Sequence, residues 1–490
     1  MNKDAVLLAA VVFPLLAGIV IGLQRQERLR NILVLAALLA ELGMVGYLCI
    51  GEHTLTVWQM TPRLSLAYHT DAISKLFAGM ICVIWLLAGI YSFAYMKREE
   101  HPERFFLFCV MTLGALVSLS FASNMLTLYL SYEYMTLLTL PLVIHSRTKE
   151  AVRAGVKYLG YSMFGAGLGL LGFFFLDTYC TTTAFVPGGS LNPQLLAGNE
   201  ALLLVVYFLM MLGFGCKAGM FPLHGWLPTA HPVAPSPASA VLSGVITKGG
   251  VLAIIRVTFY LVGADLIRGT WVQMSLLLLA IVTIFMGSML AYQEKLLKRR
   301  LAYSTISQVS YALFGLFLLH PIGFLGALLQ VVSHAVAKNI LFLSAGVMIA
   351  QTKETSVFGY RGTAKAIPAV MWAFCLGALS LIGIPPFAGF ISKWYLAEGG
   401  LSPAFGTLGV VGVAVFMLSA LLTAGYLLPI VLDAFFPGTQ EDTEEREKTA
   451  SVRWMTLPLI LLAAGAVLLG IAPGGWIDWV AQIGEGIFER

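Results

Sequence analysis

Long apolar stretches alternate with short polar segments along almost the whole of this 490-residue chain. About 20 mostly apolar residues are enough to cross the hydrocarbon core of a bilayer as an α-helix. Fourteen stretches approach or exceed that length, which predicts an all-α integral membrane protein with fourteen transmembrane helices. The stretches cover residues 5–23, 31–50, 73–95, 105–122, 124–145, 157–177, 201–222, 237–261, 273–292, 301–319, 322–350, 367–396, 405–435 and 455–473. The spans at 322–350, 367–396 and 405–435 are long enough to be tilted or broken.

The composition supports this reading. Hydrophobic residues make up 59% of the chain and charged residues only 11%, against about 25% in a soluble domain. This excludes a cytosolic enzyme, a nucleic-acid-binding protein and a disordered scaffold. The six cysteines form no CxxC or CxxCH motif, so we expect no iron–sulfur cluster, haem or disulfide framework in this chain.

The basic residues predict an orientation through the positive-inside rule. With the even-numbered spans starting in the cytoplasm, the cytoplasmic loops hold twenty lysines and arginines and the outer segments hold five. Only Lys3 precedes the first span, whereas Arg25, Arg28 and Arg30 follow it, which is the wrong polarity for a cleaved signal peptide. We expect a multi-pass protein of the cell (inner or cytoplasmic) membrane, with both termini outside and a short interfacial helix at 476–490.

Several charged residues fall inside the apolar spans, where each costs about 2.5–3.5 kcal/mol near the bilayer centre. Such residues must face the protein interior or water. One or two carboxylates cannot pair with every lysine, so the surplus lysines are interpreted as titrating groups along a hydrated path. We expect Arg256, close to the outer end of its span, to snorkel or to pair, and Glu41 to pair within the bundle. The intramembrane charges are Glu41, Glu133, Lys217, Lys248, Arg256, Lys338 and Lys393.

Lysine suits a switching role. A buried lysine binds or releases its proton according to whether a carboxylate lies beside it. Arginine cannot do this, because it is effectively always protonated.

Two of these lysines stand beside helix-breaking prolines. Lys217 precedes Pro222 in the seventh span, and Lys393 follows Pro385 and Pro386 in the twelfth. Broken helices in corresponding positions are typical of inverted-repeat transporters, and a separation of five spans gives the two copies opposite orientations. The predicted units are an N-terminal three-helix segment (1–104), a first repeat with spans 4 to 8 (105–261), a second repeat with spans 9 to 13 (262–435), and an acidic loop, last span and tail (436–490).

The histidines add a candidate relay. His334 and Lys338 are four residues apart, so they share one helix face, and we interpret them as a proton-relay pair. His224 and His231 flank the proline-rich segment after the seventh span and are candidate accessory residues. A metal site is not expected there, since no carboxylate is near them in the sequence.

A literal GxGxxG pattern at 167–172 lies inside the sixth apolar span. A dinucleotide-binding fingerprint needs a preceding strand and a following helix. We therefore interpret these glycines as helix-packing positions.

Two neighbouring segments resemble one known family. They are Gly-Cys-Lys217-Ala-Gly-Met-Phe-Pro-Leu-His-Gly-Trp-Leu-Pro-Thr-Ala-His231 and Ala-Pro-Ser-Pro-Ala-Ser-Ala-Val-Leu-Ser-Gly-Val-Ile-Thr-Lys248. The family comprises the antiporter-like membrane subunits of respiratory complex I, energy-converting hydrogenases, formate hydrogenlyase and Mrp-type sodium/proton antiporters. The Ser-Tyr-Glu-Tyr around Glu133, the His334-Ala-Val-Ala-Lys338 pattern and Lys393 fit the same family.

The resemblance implies a fourteen-helix fold with two inverted five-helix repeats. It implies that Glu133 and Lys217 form a switching pair and that Lys248 is a central connecting lysine. It also implies that His334 and Lys338 lead toward Lys393 at the end of the second half-channel. Two positions depart from parts of the family. Thr229 stands where some complex I members have aspartate, and Lys393 stands where some members have glutamate. A lysine at this position resembles the D-type Mrp members and other lysine-bearing members, and it does not separate them.

Three functions remain open at this point. The first is a subunit of a redox-driven proton pump, in a complex I or hydrogenase-type assembly. The second is the D-type subunit of an Mrp antiporter that exchanges protons for sodium, and the third is a membrane partner in inorganic-carbon uptake. In each case the expected partners are other membrane subunits and the lipid bilayer, with no nucleic acid. Any quinone, iron–sulfur cluster or flavin would belong to partner subunits.

Overall fold

The computed structural model describes residues 3–437 and 451–488, and this part of the chain is almost entirely helical. One short antiparallel hairpin, β1 with β2, interrupts the helices between α2 and α3. The elements are α1 (Lys3–Leu23), α2 (Glu27–Leu48), β1 (Thr54–Gln59), β2 (Ser65–His69), α3 (Ala72–Tyr95), α4 (Pro102–Phe121), α5 (Met125–Val143), α6 (Lys149–Tyr179), α7 (Pro193–Leu196), α8 (Glu200–Ala218), α9 (Leu227–Val233), α10 (Ser236–Val241), α11 (Thr247–Val257), α12 (Ala264–Ile267), α13 (Trp271–Gln293), α14 (Leu297–Phe317), α15 (Pro321–Thr352), α16 (Thr363–Ala366), α17 (Pro368–Ile382), α18 (Ala388–Gly400), α19 (Gly406–Phe435), α20 (Ser451–Ile471) and α21 (Gly474–Phe488).

Each predicted span coincides with helical structure. Within the described residues, eleven helices are long and apolar enough to cross a membrane, which confirms a multi-pass membrane protein. The other three predicted spans correspond to α5, to α14 and to the pair α17 and α18. The count of fourteen therefore stays a prediction, as does the orientation of the termini. The helix predicted at 476–490 is present as α21, and the acidic run at 441–447 lies outside the described residues.

Side-chain caps set where several of the helices begin. Asp71, Asn124 and Thr148 precede α3, α5 and α6, and each side chain accepts a hydrogen bond from a backbone N–H in the first turn of its helix. Such caps satisfy donors that a helix start otherwise leaves without partners. They fix the position of α5 and α6, which carry the side chains around Lys217.

Two of the predicted spans are interrupted, 201–222 close to its end and 367–396 near its middle. The first half of one, α8, ends at Ala218, and the chain resumes helical form at Leu227 in α9. The first half of the other, α17, ends at Ile382, and α18 begins at Ala388. Both first halves end in a glycine with left-handed backbone, Gly219 (φ 86°) and Gly383 (φ 91°), a conformation that costs glycine little. The 32-residue α15, in contrast, is continuous.

Each broken span packs against a long helix, and these two long helices have similar neighbours. The helix α6 packs against α5 and α8, and α15 packs in the same way against α14, α17 and α18. This similarity is consistent with repeats at 105–261 and 262–435, whose boundaries stay a prediction. Between the two groups runs the wholly buried segment of α10 and α11, with π-helical turns at Leu242–Ile246 and Thr258–Val262. Turns of this kind are frequent at functional sites.

Candidate functional site

Lys217 is fully buried in the last turn of α8, where the negative end of the helix dipole favours a cation. Its Nζ donates hydrogen bonds to Thr136 Oγ1 at 2.8 Å, Tyr158 OH at 2.9 Å and Ser162 Oγ at 3.1 Å. The Nζ also lies 4.5 Å from the centre of the Tyr158 ring. Hydroxyl groups and an aromatic face therefore stabilise this ammonium, and no carboxylate of residues 3–437 or 451–488 forms an ion pair with it.

Glu133 lies on α5, one turn before Thr136 on the same helix. It is half-buried, and its Oε1 accepts a hydrogen bond from Tyr129 OH at 3.3 Å. Lys217 and Glu133 form no ion pair within 4.0 Å. Lys217 on α8 thus bonds to Thr136 of α5, the helix that carries Glu133, but the two charged groups are not paired. The switching role stays a prediction.

Lys248 lies in the first turn of α11, directly after a π-helical turn. Its Nζ donates to the Ser243 carbonyl at 2.8 Å and lies 2.6 Å from His334 Nδ1 on α15. The lysine is 1% exposed and the histidine 2%. The other ring nitrogen of His334, Nε2, has no hydrogen-bond partner in the described residues. A protonated Lys248 can donate to the neutral imidazole in this contact, and a neutral Lys248 amine can accept from a protonated Nδ1.

Lys338 is fully buried one turn after His334 on α15. Its Nζ donates to Ser304 Oγ at 2.8 Å and to the Leu301 carbonyl at 3.0 Å, both on α14. The predicted i,i+4 pair of His334 and Lys338 is thus on one helix, but the two side chains bond to different helices. His334 reaches Lys248 at the start of α11, whereas Lys338 reaches α14.

Lys393 lies in α18 and is 7% exposed. Its Nζ donates to the Leu381 carbonyl at 2.7 Å, a group near the end of α17 that the helix break leaves without a helical partner. The Nζ also lies 5.4 Å from the centre of the Tyr311 ring. A Cβ atom at Gly383 would lie 2.7 Å from Lys393 Cδ, so the glycine leaves room for the lysine side chain.

A chain of amide and hydroxyl groups lies between His334 and Lys393. Gln330, one turn before His334, donates to Gln308 Oε1 at 3.1 Å. Its own Oε1 accepts from Ser392 Oγ at 2.7 Å, and Ser392 is the residue before Lys393. Sequence reasoning missed these residues and the hydroxyl partners of Lys217 and Lys338. The available signal was the recurrence of polar side chains inside apolar spans.

The two accessory histidines are near the broken span but contact none of the path lysines. His231 is fully buried, stacks on Phe342 at 4.8 Å, and has no partner for either ring nitrogen in the described residues. His224 stacks on Phe221 at 5.9 Å between the ring centres. Within residues 3–437 and 451–488, no group of three histidine, cysteine or carboxylate side chains could hold a metal ion.

Arg256 pairs rather than snorkels. Its guanidinium contacts Asp71 through two hydrogen bonds, of 2.5 and 2.8 Å, and Ser74 Oγ at 2.9 Å. Burial by itself raises the pKa of Asp71, but the charge and hydrogen bonds of Arg256, together with those of Ser74, outweigh it and hold the pKa well below its usual range. Arg256 and Asp71 therefore form a structural ion pair, and Arg256 is not grouped with the candidate proton-path lysines.

The expected partner of Glu41 is not present among the described residues. Glu41 is fully buried on α2, and neither carboxyl oxygen has a hydrogen-bond partner in the described residues. Its helix packs against α1 and α3, whose facing side chains are mostly apolar and bring no donor to the carboxyl group. No ion pair of Glu41 therefore contributes to the packing of α2 among the described residues.

Together the fold and these contacts define a polytopic membrane protein with four buried lysines, two of them on its interrupted helices. Residues 122–422, more than half of the chain, match the family described as the NADH:quinone oxidoreductase/Mrp antiporter transmembrane region. Residues 58–106 match the N-terminal region of chain 5 of NADH-ubiquinone oxidoreductase (complex I). The chain belongs to the antiporter-like membrane subunit family of NADH:quinone oxidoreductases and Mrp antiporters.

Relatives come from more than one kind of complex. The chain is 31% identical over 414 residues to NADH-quinone oxidoreductase subunit N of Desulforudis audaxviator, covering 81% of each chain. It is 29% identical over 440 residues to the D-type subunit of the Na(+)/H(+) antiporter of Bacillus subtilis, covering 88% of this chain and 84% of that one. A solved subunit of the membrane-bound sulfane sulfur reductase, an archaeal respiratory membrane complex, superposes with a TM-score of 0.83 at 26% identity, covering 98% of this chain and 77% of that one.

Proposed function

We propose that this chain moves protons across the cell membrane through Glu133, Lys217, Lys248, His334, Lys338 and Lys393. One observation carries the proposal. In the described residues, no carboxylate lies within 4.0 Å of the Nζ of any of the four lysines. Buried cations without counter-charges are costly as structural elements, which favours groups that gain and lose protons.

The proposed order is the one that the family resemblance implies, and one of its steps coincides with a direct side-chain contact. A proton enters from the cytoplasm and loads Lys217, whose affinity for the proton rises when Glu133 approaches and falls when it withdraws. The proton then passes to Lys248 and crosses to His334 through their 2.6 Å contact. From His334 the proton passes by way of Lys338 to Lys393, from which it leaves on the outer side, and the polar side chains of Gln330 and Ser392 lie on the same two helices as these residues.

The energy required is modest. Moving one charge against 100 mV costs about 2.3 kcal/mol. A change in proton affinity by a factor of about 100 is worth about 2.7 kcal/mol. Opening and closing one lysine–carboxylate pair in a buried site is therefore sufficient to drive one step.

We infer that the chain works as one subunit of a redox-driven pump of the complex I or membrane-bound hydrogenase type. The similarity to the subunit N relative and to the archaeal respiratory complex supports this choice. In such an assembly the quinone, iron–sulfur clusters or flavin belong to other subunits, and this chain contributes only ion movement. Its place is the inner or cytoplasmic membrane, with both termini outside.

The second candidate is the D-type subunit of an Mrp antiporter, which would exchange protons for sodium. The similarity to the Bacillus subtilis antiporter protein supports it. A role in inorganic-carbon uptake is a third alternative, with no observation that favours it. Sodium dependence of transport separates the first two candidates.

The test is proton movement into vesicles that contain the assembled complex. Lys217→Ala and Glu133→Gln should each abolish coupled proton uptake. The exposed pair Lys97 and Glu27, 2.8 Å apart, offers matched controls, and Lys97→Ala and Glu27→Gln should keep the wild-type rate. Wild-type rates in both path variants would refute the proposal.

A further inference from the structure

A groove opens on the surface of the helical bundle between α3, α15, α20 and α21. It encloses about 340 Å³, within the range of ligand-binding pockets. Its walls are almost entirely apolar, with Val83 of α3, Val336 of α15 and Leu461 of α20 among them. Val83 and Leu461 are each 48% exposed. The groove therefore presents an apolar surface that the described part of the chain does not cover.

Two glycines keep the groove open. Gly79 on α3 and Gly465 on α20 both line it. A Cβ atom added at either position would have no heavy atom within 4 Å. The room beside these glycines is thus unfilled by any side chain of the described residues, and each can be substituted without an initial steric clash.

One end of the groove is polar. Lys75, in the first turn of α3, lines it together with Trp476 and Trp479 of α21, whose ring centres are 5.8 Å apart. Lys75 is partly buried and has no carboxylate within 4.0 Å in the described residues. Tryptophan prefers the level of the lipid headgroups, since its ring is apolar and its N–H can donate. This end therefore suits an external anion at the membrane interface.

The groove has the length of an acyl chain. Its lining on α3 runs from Lys75 to Leu87, twelve residues or about 18 Å of helix. Half of the hydrocarbon core of a bilayer is about 15 Å thick. The cationic end, the two indoles and the apolar length thus follow the order of a phospholipid: phosphate, glycerol and acyl chain.

We propose that this groove binds an anionic phospholipid, with one acyl chain between Gly79 and Gly465 and the phosphate beside Lys75. The bound chain packs against Val332 and Val336, on α15, the helix that carries His334. The site is separate from the proposed proton path, because none of its lining residues bonds to a path lysine.

The test is native mass spectrometry of the full-length chain in its complex, titrated with phosphatidylglycerol or phosphatidylcholine in detergent. A single basic side chain near a membrane surface is worth about 1 kcal/mol toward an anionic lipid, so phosphatidylglycerol should bind about fivefold tighter. Lys75→Gln should bring that ratio to about one. Gly465→Leu should remove binding of both lipids at this site, and Gly79→Leu should do the same.

Matched controls are available on the lipid-facing side of α2 and at an exposed lysine. Gly46 is exposed and also has no heavy atom within 4 Å of an added Cβ, so Gly46→Leu should bind lipid as the wild type does. Lys97→Gln should keep the fivefold preference. The proposal is overturned if phosphatidylcholine binds equally well, or if the glycine variants retain the lipid, as they would where a partner helix fills the groove.

Discussion

The Nζ of Lys248 and the Nδ1 of His334 lie 2.6 Å apart, and the two residues are 86 positions apart in the sequence. Lys248 belongs to the central helix α11, which packs against α8, whereas His334 belongs to α15 beside the second broken span. This one contact therefore joins the surroundings of Lys217 to those of Lys338 and Lys393. It is the place where the proposed path passes from one half of the molecule to the other.

His334→Gln tests this crossing. A glutamine amide can keep a hydrogen bond to Lys248, but it cannot take up a proton at neutral pH. In enzymes, a positioned proton-transfer group contributes about a hundredfold or more to the rate. Proton transport in vesicles should therefore fall by at least about tenfold. His53→Gln, in the segment before β1, should leave the rate unchanged. A normal rate in His334→Gln would remove the histidine from the path.

Tyr158→Phe tests the hydroxyl cage around Lys217. The substitution removes a 2.9 Å hydrogen bond from the lysine ammonium, and a bond to a charged group is worth about 1.5–3 kcal/mol. Transport should fall about tenfold, because the loaded state of Lys217 becomes less favourable. Tyr207→Phe is the control: Tyr207 is equally buried, but its hydroxyl bonds to Thr258 at 2.7 Å. Equal effects in both variants would indicate a general loss of packing.

Asp71→Asn should destabilise the protein by about 3 kcal/mol, since it leaves the Arg256 guanidinium buried without its counter-charge. The pKa of Asp71 is lowered in the folded state. Its contribution is therefore present above the ordinary aspartate pKa of about 3.9 and is lost as the pH falls through the lower folded value. Thermal unfolding in detergent should show a constant deficit between pH 5 and pH 8. The double variant Asp71→Leu, Arg256→Met should recover part of it, whereas a deficit that grows toward high pH would contradict the assignment.

Glu41→Leu should stabilise the protein. The carboxyl group is buried with no partner in the described residues, and an unsatisfied buried polar group costs about 1–3 kcal/mol. The unfolding temperature in detergent should rise by a few degrees, with transport unchanged. Glu27→Leu, at an exposed surface position, should shift stability by less than about 0.5 kcal/mol. A loss of stability in Glu41→Leu would mean that a group outside the described residues pairs with the carboxyl.

Much of the fold could be predicted from the sequence because a bilayer constrains a helix strongly. The length of an apolar stretch sets each span, and the prolines beside Lys217 and Lys393 mark the two breaks. What hydropathy could not provide is the hairpin β1 with β2, the short helix α9, and the residue at which each broken helix ends. Those details depend on backbone conformation at single residues such as Gly219 and Gly383.

The candidate site was predicted only in part. Lysines in apolar spans stand out, since few other charges occur there. Their partners do not: Thr136 and Ser304 are ordinary polar residues until packing brings them to within 2.8 Å of an ammonium. Asp71 was missed as the partner of Arg256 because the two are 185 residues apart. Glu41 was given a partner that the packed helices do not contain.

The lysines without counter-charges have a consequence for how many protons the path can hold. Two positive charges about 4 Å apart repel by about 4 kcal/mol at an effective dielectric constant of about 20, and Lys248 and His334 are closer than that. Only one of these two residues is therefore positively charged at a time. The proposed path then contains one residue that is not protonated. A proton that moves outward is equivalent to a vacancy that moves inward. In the proposed path, arrival of a proton at one lysine promotes departure from the next by repulsion, which would couple its two halves without movement of a helix.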